Sequence, residues 1–113
     1  PIKVAVLNNS YLGMVRQWQE MFYEERYSEV YLSPELPDFV KWAEAMGCVG
    51  IRVESPEEVE PAIALANSIN DRSVVIEFRV DAGEKVFPMV PAGYGNDDVL
   101  LHPNQNDRRE FLR

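Results

Sequence analysis

The sequence predicts an α/β fold with a mainly parallel sheet flanked by helices. Three observations carry this reading. Ile2-Lys3-Val4-Ala5-Val6-Leu7 is an almost unbroken apolar run that stops at two asparagines, the pattern of a strand buried on both faces of a parallel sheet. Strand-like and helix-like patterns follow in the order strand, helix, helix, strand, helix, strand, as expected of crossover units. Between the last two strand patterns, Ser55-Pro56-Glu57-Glu58 reads as an N-cap, a proline at N1 and a capping-box glutamate. This gives only about three strands, against roughly five or six in an average sheet. The chain is therefore expected to be the C-terminal part of a larger α/β domain.

The elements follow in order. Residues 2–7 form the first strand. Residues 13–24 form a helix, with Leu12, Val15, Trp18 (or Gln19) and Phe22 at helical spacing, closed by the charged stretch Glu24-Glu25-Arg26. A crossing loop from Tyr27 to Leu32 includes an extended piece at Val30-Tyr31-Leu32. Ser33-Pro34-Glu35-Leu36-Pro37 is a turn, and Pro37 suits the first turn of the next helix. That helix runs to about Met46 on a stripe of Phe39, Val40, Ala43 and Met46, with Gly47 as its stop.

Val49 to Val53 is a short strand. The helix after Ser55 runs to about Ile69, with Pro61 as a local conflict because it lacks the amide hydrogen. Residues 73–80 form a strand, apolar in its first half and alternating in its second, which suggests one exposed side near the sheet's end. Residues 1–98 are expected to belong to the domain and residues 99–113 to a polar C-terminal tail.

Composition narrows the function classes. The chain has 113 residues, is 46% hydrophobic and carries a net charge of -8. It has no basic cluster, so neither nucleic acid nor an anionic membrane is an expected partner. No apolar run approaches the ~20 residues that cross a bilayer. Cys48 is the only cysteine, which leaves no internal disulfide and no zinc pattern and fits a cytoplasmic location. The first residue is Pro1, so the numbering is expected to begin inside a longer chain or after processing.

The chemistry concentrates at Asn8-Asn9-Ser10-Tyr11-Leu12-Gly13. In open α/β sheets, ligands collect where strands end and helices begin. An asparagine amide oxygen is a hard neutral ligand, and a carbonyl two residues on can lie on the same side of a tight turn. Such a pair suits Mg²⁺, which takes about six oxygens and accepts several from water or phosphate. The helix that follows offers free N–H groups and its positive dipole end, and Gly13 lets a ligand approach the backbone. The same residues also read simply as a turn with an N-cap.

The run LNNSYLGMVRQWQEMFYEERYS, residues 7–28, resembles the second half of the thiamine diphosphate motif of the acetolactate synthase (acetohydroxyacid synthase) large subunit family. Leu12-Gly13-Met14-Val15, Gln17-Trp18 and Phe22-Tyr23 make the resemblance specific. Asp38-Phe39-Val40, Ala43-Glu44-Ala45-Met46-Gly47 and Phe87-Pro88-Met89-Val90-Pro91-Ala92-Gly93 extend it over nearly the whole chain.

The resemblance implies the C-terminal portion of a thiamine diphosphate-binding fold. It implies metal ligands at Asn9, through its side-chain oxygen, and at Tyr11, through its main-chain carbonyl, while Asn8 holds the turn. Gly13, Met14 and Val15 would lie beside thiamine diphosphate. Trp18 would line the substrate and inhibitor channel and favour 2-ketobutyrate over pyruvate as second substrate, and Ala92 would sit where inhibitor sensitivity is tuned. Without the resemblance, Trp18 and Val15 read as core residues and residues 88–95 as a surface loop. A family aspartate within Gly-Asp-Gly has no counterpart in this sequence, and no catalytic residue is expected among these residues; His102 is assigned no role.

The implied activity is thiamine diphosphate-dependent condensation of pyruvate with a second 2-keto acid in branched-chain amino-acid biosynthesis. Mg²⁺ anchors the diphosphate, and FAD is bound elsewhere in the family's chain. A homodimer or higher oligomer and a regulatory small subunit are the implied protein partners. Two other readings stay open. One is a different thiamine diphosphate enzyme, such as glyoxylate carboligase or a pyruvate oxidase. The other is a non-enzymatic α/β assembly module.

Overall fold

The computed structural model describes residues 1–32 and 34–101. The expected C-terminal tail, including His102, lies largely outside the described residues, as does Ser33. The chain divides into two compact units, Pro1–Gly83 and Glu84–Arg113.

The first unit contains β1 (Lys3–Asn8), α1 (Gly13–Phe22), α2 (Phe39–Ala45), β2 (Val49–Val53), α3 (Pro56–Ser68) and β3 (Val74–Arg79). The three strands form one parallel sheet in the order β1-β3-β2. The α/β parallel reading is therefore correct. The burial expected of the first strand is not reached within these residues. β1 lies at the edge and most of it is exposed, with Leu7 at 73%. The buried strand is β3, because it alone has a hydrogen-bonded neighbour on each side. An apolar run reports what a strand prefers to contact, and burial also requires a neighbour to supply that contact.

Alternation along β3 separates two faces. Val74 and Ile76 join Val53, Ala62 and Ala66 in the core, with Val59, Ile69 and Phe78 packed against it. Small residues on α3 thus let it lie close to β2 and β3. Its start is as expected: Glu58 Oε2 accepts from the Glu54 and Ser55 amides at 2.7 and 3.3 Å. Pro61 is accommodated inside the helix on its exposed side.

The other face carries Val75 and Glu77, together with Gly50 and Arg52 of β2. Here α2 sits on the sheet at Gly50, where an added Cβ would lie 2.7 Å from the Val40 carbonyl oxygen and 2.8 Å from its Cα. The end of α2 is a Schellman motif. Gly47, at φ 76°, donates to Glu44 O, and Cys48 donates to Ala43 O, both at 2.9 Å. Its start differs from expectation: Asp38 is the N-cap, accepting from the Val40 and Lys41 amides at 3.1 and 3.2 Å, so Pro37 lies outside the helix.

α1 makes no extended packing contact with the sheet. Its expected apolar stripe is largely exposed, with Val15 at 48% and Phe22 at 43%, and the buried residue is Gln17. The helix instead folds against the segment that follows it. Gln19 Nε2 donates to the Ser28 carbonyl, and Ser28 N donates back to Gln19 Oε1. Helix α1 ends at Phe22, two residues before the expected limit. Glu24 and Glu25 take left-handed φ values of 53° and 58°, which a helix cannot continue. The extended piece at residues 30–32 returns to bridge Tyr31 with Tyr11.

The second unit is held by local bonds. Met89 and Leu100 exchange both backbone hydrogen bonds, at 3.0 and 2.8 Å, and turns close at Pro91–Tyr94 and Gly95–Asp98. Ala92 is exposed within it.

Candidate functional site

All three strands run the same way, so their C-terminal ends gather at one edge. A cavity of about 540 Å³ opens there, within the size range of small-molecule sites. Its lining includes Asn8, Asn9, Tyr11, Asp38, Arg52 and Glu77.

The turn after β1 is built from two nested side-chain bonds. Asn8 Oδ1 accepts from Ser10 N, and Asn9 Oδ1 accepts from Tyr11 N, each at 3.0 Å. Ser10 takes a left-handed φ of 62°, a conformation worth roughly 1–2 kcal/mol of strain for a residue with a Cβ. The Asn8 oxygen holds it from one side. From the other, Leu32 N donates to Ser10 O at 2.9 Å. Leu12 N donates to Val30 O, also at 2.9 Å. Tyr11 lies between these two bonds, and no backbone amide among the described residues donates to its carbonyl.

Asn9 Oδ1 keeps one lone pair beyond its bond to Tyr11 N. The site thus offers two neutral oxygens, the Asn9 amide and the Tyr11 carbonyl, two residues apart at a cavity mouth. The donor set fits a hard cation such as Mg²⁺ that takes its remaining ligands from phosphate and water. Gly13 is part of the same construction. A Cβ there would lie 2.9 Å from Asn9 Nδ2, so the absence of a side chain makes room for the Asn9 amide.

Beneath the turn lies a charged network that sequence reasoning did not find. Glu77 is 2% exposed. Its Oε1 accepts from Asn8 Nδ2 and its Oε2 from Arg52 Nε, both at 2.7 Å. Arg52 also donates to Asp38 Oδ1 at 2.7 Å. Burial pushes the Glu77 carboxyl up. The bonds from Arg52 and Asn8, with the charges of Arg52 and Arg79, outweigh it and leave the carboxyl below its usual range. Asp38 is held low as well, chiefly by the Lys41 amide and also by Arg52. The alternating second half of β3 suggested an exposed side. Arg79 and Val80 are exposed at the strand's end as expected, but Glu77 is not: its carboxylate is buried because two donors on neighbouring strands meet it.

Met14 and Val15 are exposed on the first turn of α1, at 44% and 48%, and do not line the cavity. Trp18 is half-buried, its ring 5.1 Å from that of Phe22. Arg16 lies between the Tyr11 and Tyr27 rings, 4.9 and 5.4 Å from their centroids, and donates to the Ala82 carbonyl. The structure therefore brings Asn9, Tyr11 and Gly13 into one construction and leaves Met14, Val15 and Trp18 along the helix beyond it.

In open parallel sheets the loops beyond the carboxyl ends of the strands form the ligand-binding crevice, and this turn lies there. The chain belongs to the family of the thiamine pyrophosphate enzyme C-terminal TPP binding domain, whose model it matches over residues 1–78. It is 59% identical over 102 residues to acetolactate synthase of Mycobacterium avium, covering 88% of this chain and 16% of that protein. It is 47% identical over 103 residues to the acetolactate synthase isozyme 3 large subunit of Escherichia coli, covering 89% of this chain and 18% of that protein. To the mitochondrial acetolactate synthase catalytic subunit of Saccharomyces cerevisiae it is 40% identical over 110 residues, covering 97% and 16%. The chain thus spans less than one-fifth of the length of these relatives. Among the described residues, no helix is long and apolar enough to cross a membrane.

Proposed function

We propose that this chain is the cofactor-binding C-terminal segment of an acetolactate synthase large subunit. The observation that carries the reading is the turn after β1. There the Asn9 amide oxygen and a Tyr11 carbonyl without a backbone donor share one cavity mouth. In this reading Asn9 and Tyr11 hold Mg²⁺, which in turn holds the diphosphate of thiamine diphosphate. When bound, thiamine diphosphate supplies the electron sink for decarboxylating a 2-keto acid. The protein's own task here is to bind and orient: two neutral oxygens fix the cation, and the first turn of α1 with Gly13, Met14 and Val15 lies beside the cofactor.

Trp18 lines the channel for the second 2-keto acid, pyruvate or 2-ketobutyrate. A rigid aromatic wall can separate a methyl from an ethyl substituent by about 1–3 kcal/mol. Ala92 tunes inhibitor sensitivity. FAD binds outside these residues. The partners are a second large subunit and a regulatory small subunit, and the product feeds branched-chain amino-acid synthesis. The exposed apolar residues of β1 and α1, Leu7, Val15 and Phe22 among them, support an assembled setting, since such surface is normally covered.

The test is acetolactate formation from pyruvate by the large subunit carrying this segment, supplied with thiamine diphosphate and Mg²⁺. Activity that Asn9→Ala removes, with no activity from residues 1–113 alone, supports the reading. Full activity of the Asn9→Ala subunit overturns it.

A further inference from the structure

We propose that Glu77 is a positioning residue for the cation-binding turn and acts through the Asn8 amide. The inference rests on the reading of Asn9 and Tyr11 as the cation-holding pair. Glu77 touches neither of them. It reaches the turn through one contact, the 2.7 Å bond from Asn8 Nδ2 to its Oε1.

That contact determines which way the Asn8 amide faces. An ionised carboxylate only accepts hydrogen bonds, so it must meet the NH₂ end of Asn8. The oxygen end is then directed at Ser10 N, 3.0 Å away. This bond holds Ser10 at φ 62°, and the left-handed residue reverses the chain between Asn9 and Tyr11. A flipped Asn8 amide would present NH₂ to the Ser10 amide, two donors face to face, and the strained turn would lose its support. The orientation of Glu77 is fixed in turn by Arg52 Nε on its other oxygen, and Arg52 is fixed by Asp38. Every member of the chain is engaged at both ends, and it crosses from α2 through β2 and β3 to the end of β1.

Donor and acceptor can be exchanged in this geometry, which supplies the test. Glu77→Gln alone leaves one donor facing another, at Arg52 Nε, at Asn8 Nδ2 or, if the Asn8 amide flips, at Ser10 N. Asn8→Asp alone sets a carboxylate against Glu77. Together the two changes restore every bond, and only the one between positions 77 and 8 runs in the opposite direction. Gln at position 77 accepts from Arg52 and donates to the new Asp, whose other oxygen accepts from Ser10 N.

The experiment measures the Mg²⁺ dissociation constant of the large subunit at saturating thiamine diphosphate, by calorimetry, alongside the melting temperature of the apoprotein. Each single change is expected to weaken Mg²⁺ binding about tenfold or more, as removal of an outer support of a metal site does. The double variant is expected to return to within about threefold of the starting value. Unchanged Mg²⁺ affinity in both single variants overturns the proposal, as does a double variant no better than either.

Asn9→Ala separates the two levels. If it too leaves Mg²⁺ binding unchanged, the cation pair itself is misassigned and this inference falls with it. If it weakens binding while the Glu77 and Asn8 variants do not, only the positioning role fails. Should Glu77→Gln not fold, Asn8→Ala breaks the same bond and leaves Glu77 paired with Arg52. It is expected to weaken Mg²⁺ binding about tenfold, and an unchanged constant overturns the proposal.

Discussion

Arg52 and Glu77 stand opposite each other on neighbouring parallel strands, joined by a 2.7 Å bond from Nε to Oε2. The same guanidinium reaches Asp38 Oδ1, also at 2.7 Å, so one side chain ties β2, β3 and the start of α2. The Glu77 side chain is 2% exposed and that of Arg52 30%. Removing the cation leaves a buried carboxylate with Asn8 as its close donor and Arg79 Nε at 3.7 Å. Arg52→Met is therefore expected to destabilise the fold by about 2–4 kcal/mol, near the range for breaking a buried pair. Arg52→Lys keeps the charge but lacks the fork that serves two acceptors, so its loss should be intermediate. Urea midpoints at unchanged slope measure both.

The depressed Glu77 carboxyl fixes a pH dependence. Its folded value lies below its ordinary 4.5. The unfolded chain therefore takes up the proton first on acidification. The stabilisation is fully present above 4.5 and is lost as pH falls through the lower folded value. Asp38 acts with the same sign from its ordinary 3.8. Stability should thus be level in this component at neutral pH and fall on the acid side. Glu77→Gln should flatten that acid slope, and denaturation midpoints across the acid range provide the comparison.

Gly50 and the α2 backbone make the next expectation one of direction and cause. An added Cβ would press on the Val40 carbonyl oxygen at 2.7 Å and on Val40 Cα at 2.8 Å. These are backbone atoms and cannot rotate away, so α2 itself must shift. Gly50→Ala is expected to cost about 1–3 kcal/mol, as over-packing does. Because α2 carries the Asp38 cap that Arg52 meets, the shift should also loosen that bond. A loss of stability with a weakened acid slope would show both effects in one titration.

What could be read from the sequence followed the range of the interactions. The α3 capping box and the Gly47 stop are encoded within a few residues, and both stand where expected. The Asn-Asn turn was also legible, because side chain and backbone partners lie two residues apart. Glu77 was not. Its donors sit 69 and 25 residues away on neighbouring strands, and alternation alone assigns such a residue to an exposed side. The exposure of β1 within these residues has a related cause: an apolar run cannot say which strand has a neighbour on each side. Asp38 caps α2 and leaves Pro37 outside its first turn, because the Asp38 carboxylate reaches the Val40 and Lys41 amides.

Gly13 separates stability from binding. The atom that an added Cβ would meet, at 2.9 Å, is Asn9 Nδ2, the far end of a flexible and half-exposed side chain. That group can swing aside, unlike the Val40 backbone against Gly50. Alanine is also the better helix former, by up to about 1 kcal/mol, and Gly13 is the first residue of α1. Gly13→Ala should therefore leave the melting temperature unchanged or slightly raised. The displaced Asn9 amide, however, is the proposed cation ligand. Mg²⁺ binding with thiamine diphosphate should weaken by roughly tenfold or more, the size of effect seen when a metal ligand loses its orientation. A variant as stable as the parent that binds the cation poorly would show that glycine is required here for the position of the neighbouring amide, and not for the helix. Equal affinity in the two proteins would show that the Asn9 side chain has room the geometry does not suggest.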